Sequence, residues 1–139
     1  MSEVVSVRLP DAVARRLRDR AAAADEATSG LAQRLVDEGL RMEAHPGIIF
    51  RPGPTGRRAA LLQGPDVWEV VGLVASLDAR GEAAIAEAAT WLGIAESHVR
   101  AALRYYGSFP DGIDAQVAAN QAAAEQARRE WETQQRLLG

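Results

Sequence analysis

The sequence predicts a mainly α-helical chain with one strand at its N-terminus, a β-hairpin in its middle and a long helix at its end. Three observations predict it. Residues 4–9 alternate in character, as strand side chains do. The stretch Ile48 to Leu62 holds two short β-prone runs about a turn dense in Pro and Gly. Most of the remainder repeats its apolar residues every three or four positions. The expected organisation is an N-terminal domain over 1–44, a hairpin and helical module over 45–112, and a C-terminal helix over 113–139.

The expected strand is Val4-Val5-Ser6-Val7-Arg8-Leu9. Val5, Val7 and Leu9 point to one face; Val4, Ser6 and Arg8 point to the other. Pro10-Asp11 suits the first turn of a helix, where Pro has no N–H to lose. Val13, Leu17, Ala21 and Ala24 then fall at helical spacing. Asp25 to Gly30 interrupts the pattern, with Thr28 or Ser29 expected as N-cap of a second helix. Leu31, Leu35, Val36 and Leu40 form that helix's apolar stripe. A strand followed by two helices leaves the strand's backbone groups unpaired. Nor do about 40 residues bury enough surface to fold alone as a rule. Two copies that pair these strands antiparallel and interlock their helices meet both needs.

The run V-S-V-R-L-P-D-A-V, followed by the second helix and L-V-D-E-G-L-R, resembles the ribbon-helix-helix family of dimeric DNA-binding proteins. That resemblance implies a homodimer whose intermolecular ribbon lies in the major groove of operator DNA. Val4, Ser6 and Arg8 are then the base-reading side chains. Arg donates two hydrogen bonds to guanine, Ser serves several base edges, and Val offers only methyl contacts. Thr28, Ser29 and Gly30, at the start of the second helix, have free N–H groups suited to a phosphate oxygen.

His45-Pro46-Gly47 stops the second helix. Ile48 to Arg51 and Arg57 to Leu62 make the hairpin strands around Pro52-Gly53-Pro54-Thr55-Gly56. Arg51, Arg57 and Arg58 lie on or beside it, either as a basic wing toward DNA or an acidic partner, or as partners of nearby acidic helices. Asp66 is expected to cap a helix with the stripe Val67, Val70, Val71, Val74 and Leu77, and Trp68 on its flank. Ala89, Gly93, Ile94 and Val99 match a helix-turn-helix: a small residue at the crossing, a glycine in the turn, and apolar residues fixing the second helix. Glu96, Ser97, His98, Arg100 and Arg104 face outward on that second helix. Its acidic start suits packing or a protein partner better than DNA; Arg100 and Arg104 are secondary contact candidates.

The pattern H-P-G-I-x-F-R, G-P-x-G-R-R and D-V-W-E-V-V, closed by R-A-A-L-R-Y-Y, resembles a winged-helix-like module of bacterial antitoxins of the VapB type. Joined to the N-terminal resemblance, it implies an autorepressing antitoxin whose partner is a PIN-like ribonuclease toxin. The alternatives are a stand-alone repressor without a toxin and a dimerisation adaptor without a DNA role.

Gly107 to Gly112 reads as a loop, and a long helix follows from Ile113. Ile113, Val117, Asn120, Ala124, Ala127, Trp131, Gln134 and Leu138 alternate four and three apart, a thin seam for a partner helix or groove. The helix either wraps a partner, with Trp131 as the anchor, or packs back on its own domain or dimer mate. Arg128, Arg129 and Arg136 are candidates to plug an acidic, metal-binding toxin site.

Charge and composition restrict the function classes. There is no cysteine, which excludes a disulfide framework and a thiolate metal site. All 16 basic residues are Arg, and the net charge is −3, so any DNA contact is a local patch doubled by dimerisation. The two His residues stand outside any ligand motif, the acids form no metal cluster, and no phosphate loop follows a strand. No catalytic residue, cofactor or metal is expected. No leader peptide or membrane-spanning run is read, and a cytoplasmic protein is expected.

Overall fold

The structure, a computed structural model, describes residues 1–54 and 56–139; Thr55 of the predicted turn lies outside the described residues. The described chain is mainly helical, with one two-stranded antiparallel hairpin and a long C-terminal helix. It divides into two compact units, Met1–Glu43 and Ala44–Gly139.

The first unit holds α1 (Asp11–Ala23) and most of α2 (Thr28–Ala44). Helix α1 starts where Pro10 sets an extended backbone and Asp11 places an acid in the first turn. Asp25, at φ 54, turns the chain between the helices, and the Glu26 amide donates to the Ala21 carbonyl. The α2 cap differs from expectation. The Leu31 amide donates to Ala27, so Ala27 holds the cap position, and Thr28, Ser29 and Gly30 form the first turn. Residues 1–10 form no strand within the single chain. Among the described residues the sheet consists of β1 and β2, with one added bridge from Ala60 to Asp66, and residues 1–10 carry no ladder.

The second unit begins with β1 (Ile48–Gly53) and β2 (Gly56–Leu61), in register from Ile48–Leu61 to Gly53–Gly56. Helices α3 (Val67–Ser76), α4 (Glu82–Leu92), α5 (Glu96–Ser108) and α6 (Pro110–Leu138) follow. Ile48, Ala59 and Leu61 of the hairpin meet Val67 and Val70 of α3, Ala88 and Ala89 of α4, Val99, Ala102 and Tyr105 of α5, and Ile113 of α6 in one core. The predicted α3 stripe is thus inside, fully at Val67 and Val70 and partly at Val71, Val74 and Leu77. The helix-turn-helix spacing is likewise realised as architecture. Gly93 takes the left-handed conformation at φ 66, Ala89 and Val99 are buried, and Ile94 packs on the core.

The predicted loop from Gly107 to Gly112 is instead the junction of two helices. Phe109 alone breaks them, at φ −135 and ψ 60. Pro110 does not interrupt the structure because it occupies the first turn of α6, where its fixed φ is pre-set for a helix. The Phe109 ring packs on Tyr105, with centroids 5.0 Å apart, and on His45 at 5.9 Å. His45 also meets Tyr105 edge-on at 5.3 Å, so it is part of an aromatic cluster as well as a turn residue. Across the bend, the Tyr106 hydroxyl donates to Asp114 at 2.8 Å, a bond that holds the phenol above its ordinary pKa.

Candidate nucleic-acid and partner surfaces

In the first unit the apolar stripes predicted for the core stay largely bare. Among their members Ala21 and Leu31 are buried, both near the turn that joins α1 and α2. Val13, Leu35, Val36 and Leu40 are exposed, Leu40 at 63%. Val7 and Leu9 of the N-terminal segment join Val13, Leu17, Leu35 and Val36 around an apolar groove of about 480 Å³. Arg16 and Arg20 stand at its margin. The physical content is simple. This 43-residue unit leaves its apolar groove open, with Val36 of the lining 62% exposed.

The groove takes in part of the alternation read from the sequence: Val5, expected on the same face as Val7 and Leu9, is 78% exposed and does not line it. Val7 and Leu9 belong to the groove lining; Val4, Ser6 and Arg8 do not. Val4 is 92% exposed, and Ser6 and Arg8 are exposed beside it. Thr28, Ser29 and Gly30 are exposed in the first turn of α2, where amide N–H groups lack helical acceptors. Arg34 on α2 pairs with Glu26 at 3.1 Å, bracing the turn that leads into the helix.

The hairpin arginines divide. Arg51 donates to the Leu61 carbonyl at 2.9 Å and the Gly64 carbonyl at 3.3 Å, and its Nη1 lies 3.9 Å from Asp66. Arg58 Nε lies 2.8 Å from Asp66 Oδ2. Trp68 Nε1 donates to the same oxygen at 3.1 Å. Asp66 is buried, and Glu69 accepts a hydrogen bond from its backbone amide at 2.9 Å, one half of a capping box. Asp66 therefore joins hairpin to helix, a role invisible in its sequence position beyond the cap. Arg51 and Arg58 are committed to the fold here; Arg57, exposed on β2, donates to the Phe50 carbonyl at 3.5 Å.

On α5, Glu96, Ser97, His98 and Arg104 are exposed as predicted. Arg100 is engaged: it makes a bidentate pair with Glu82 at the start of α4, and Glu96 lies 3.8 Å away. The hydrogen bonds from Arg100 hold the Glu82 carboxyl below its ordinary pKa and raise that of Arg100. Since the folded-state value of Glu82 is depressed, this clip contributes stability above the ordinary glutamate pKa and loses it as pH falls. E82Q is expected to unfold more readily than wild type at pH 7, with a smaller difference at pH 3. Paired urea titrations at the two pH values measure it.

Helix α6 leaves the core after Val117, and residues 118–139 are exposed throughout. At about 1.5 Å per residue this projecting part runs roughly 30 Å. It carries Trp131, 59% exposed, and Arg128, Arg129 and Arg136. Its ion pairing is internal and loose, as in Arg128–Glu132 at 4.0 Å.

Comparison of the chain with protein-family models, curated proteins and solved structures finds no match. Among the described residues no helix is long and apolar enough to cross a membrane. Among the described residues, His, Asp and Glu form no group of three able to hold a metal.

Proposed function

We propose that the protein is a homodimeric operator-binding repressor and the antitoxin of a toxin–antitoxin pair. The observation that carries this reading is the incomplete first unit: an open apolar groove beside a strand-patterned segment that forms no ladder in one chain. A second copy supplies both missing parts at once. Its strand pairs with Val4–Leu9, and its helices fill the groove. The ribbon so formed turns Val4, Ser6 and Arg8 outward, and a two-stranded ribbon fits the major groove. The amides of Thr28, Ser29 and Gly30 serve a phosphate on the flank. The dimer functions in the cytoplasm, at its own promoter.

The partner-binding half of the reading rests on α6. A helix that extends about 30 Å past its core, with an exposed Trp and three exposed Arg, is suited to lie in the groove of another protein. The partner is a PIN-like ribonuclease toxin, whose acidic, metal-binding site one of Arg128, Arg129 or Arg136 enters.

Two variants test the halves separately. Arg8→Ala is expected to weaken operator binding by about 1–3 kcal/mol per lost base contact, read by band shift against the upstream DNA at fixed salt. Trp131→Ala is expected to weaken capture of the toxin encoded beside the gene by about 2 kcal/mol or more, with operator binding unchanged. A chain that shifts its operator and captures no neighbouring gene product is a stand-alone repressor.

A further inference from the structure

We propose that the projecting part of α6 pairs antiparallel with the α6 of a second copy, Ala124 of each helix lying against the partner subunit's Ala127. This describes the free protein, goes beyond the reading above, and needs neither DNA nor toxin. Helix α6 seats on its own core through Ile113, which is buried, and Val117, which packs against α3 at Gly72. The same row continues uncovered through Asn120, Ala124, Ala127, Trp131 and Gln134 to Leu138. Trp131 is 59% and Leu138 78% exposed. Because α6 is unbroken from Pro110 to Leu138, this row cannot fold back onto the core it leaves. The side-chain hydrogen bonds of the projecting part lie off the row. Gln126 donates to Glu130 at 2.9 Å, Arg129 to Gln126 at 3.0 Å and Arg136 to Thr133 at 3.1 Å.

The content of the row selects the occupant. Spacings of four and three suit a helix with the same repeat. Residues 118–139 carry three Arg and three acids, so a second copy meets no net repulsion. One antiparallel register matches the two rows position by position. It sets Ala124 against the partner subunit's Ala127 and Asn120 against the partner subunit's Trp131. The central Ala layers let the backbones approach, and each indole N–H finds an amide oxygen within its own layer. On the flanks Arg128 comes beside the partner subunit's Gln121, and Glu130 beside the partner subunit's Ala123, so like charges are not opposed. A parallel pair instead stacks indole on indole and Asn on Asn in shared layers. Layers of Ala and amides bury little apolar surface, so the pair is weak and closes at high protein concentration.

The chain has no cysteine, so introduced thiols report the pairing alone. Full-length Ala124→Cys and Ala127→Cys are mixed in equal amounts at high concentration and oxidised gently. A disulfide forms only where the two Cα atoms come within about 7 Å. The mixed cross-link is expected to predominate over either homodimer, and adding Trp131→Ala to both chains is expected to abolish it. In sedimentation, wild type is expected to reach a higher mass than Trp131→Ala at the same high concentration. An excess of homodimer cross-links, no cross-link, a cross-link indifferent to Trp131→Ala, or equal masses overturns the pairing and leaves the repressor and antitoxin reading standing.

Discussion

Val36→Glu is expected to convert the dimer to monomers and to abolish operator binding. Val36 is 62% exposed in one chain and lines the groove of the first unit. In the proposed dimer it is covered by the second copy. The substitution removes about 2 kcal/mol of apolar burial and places a carboxylate in the apolar lining, where Arg16 and Arg20 at the margin offset only part of its desolvation cost. Two-fold symmetry applies both losses twice, so the dimer dissociation constant is expected to rise by at least about a thousandfold. Sedimentation equilibrium reads the mass, and a band shift reads the DNA. The second unit has its own core, so its thermal transition is expected to survive. A variant that remains dimeric removes the groove from the interface, and the proposed ribbon with it.

Asp66→Ala is expected to be the most damaging polar change in the second unit, at about 3 kcal/mol. Three losses combine. The helix cap is worth about 1 kcal/mol. The Trp68 indole loses its acceptor, at about 1 kcal/mol. The partly buried Arg58 guanidinium is left facing the site without its nearest carboxylate, the costly side of removing half of an ion pair. Urea unfolding followed by tryptophan fluorescence measures the sum. Asp66→Asn keeps the cap and the indole acceptor and is expected to recover about half of the loss. An alanine variant within about 1 kcal/mol of wild type would show that Arg51 and Arg58 find other acceptors in the hairpin.

These residues also show what the sequence could disclose. The hairpin was legible because Pro and Gly are concentrated at one place between β-prone runs. The α3 stripe and the Gly93 turn were legible because their spacing reflects local geometry. Asp66 was readable as a cap, a matter of adjacent residues. Its pairing with Arg58 depends on how the hairpin folds back and has no local signature. Gly107 to Gly112 misled because Gly, Pro and Asp signal a turn and a helix start alike; Phe109 packing on Tyr105 and His45 decides between them. Thr28 and Ser29 misled because hydroxyl residues favour a cap, yet the chain enters α2 at Ala27. In the candidate DNA surface the alternation of residues 4–9 was plain. No strand forms there in the single chain, and the pairing it calls for is that of the proposed dimer.

The junction at Phe109 has a mechanical consequence. A joint one residue long, wedged between rings, gives the helix beyond it no slack. In the proposed complex, a partner that clasps the outer end near Trp131 meets a helix whose heading is set at its foot, where the Phe109 ring packs on Tyr105 and His45.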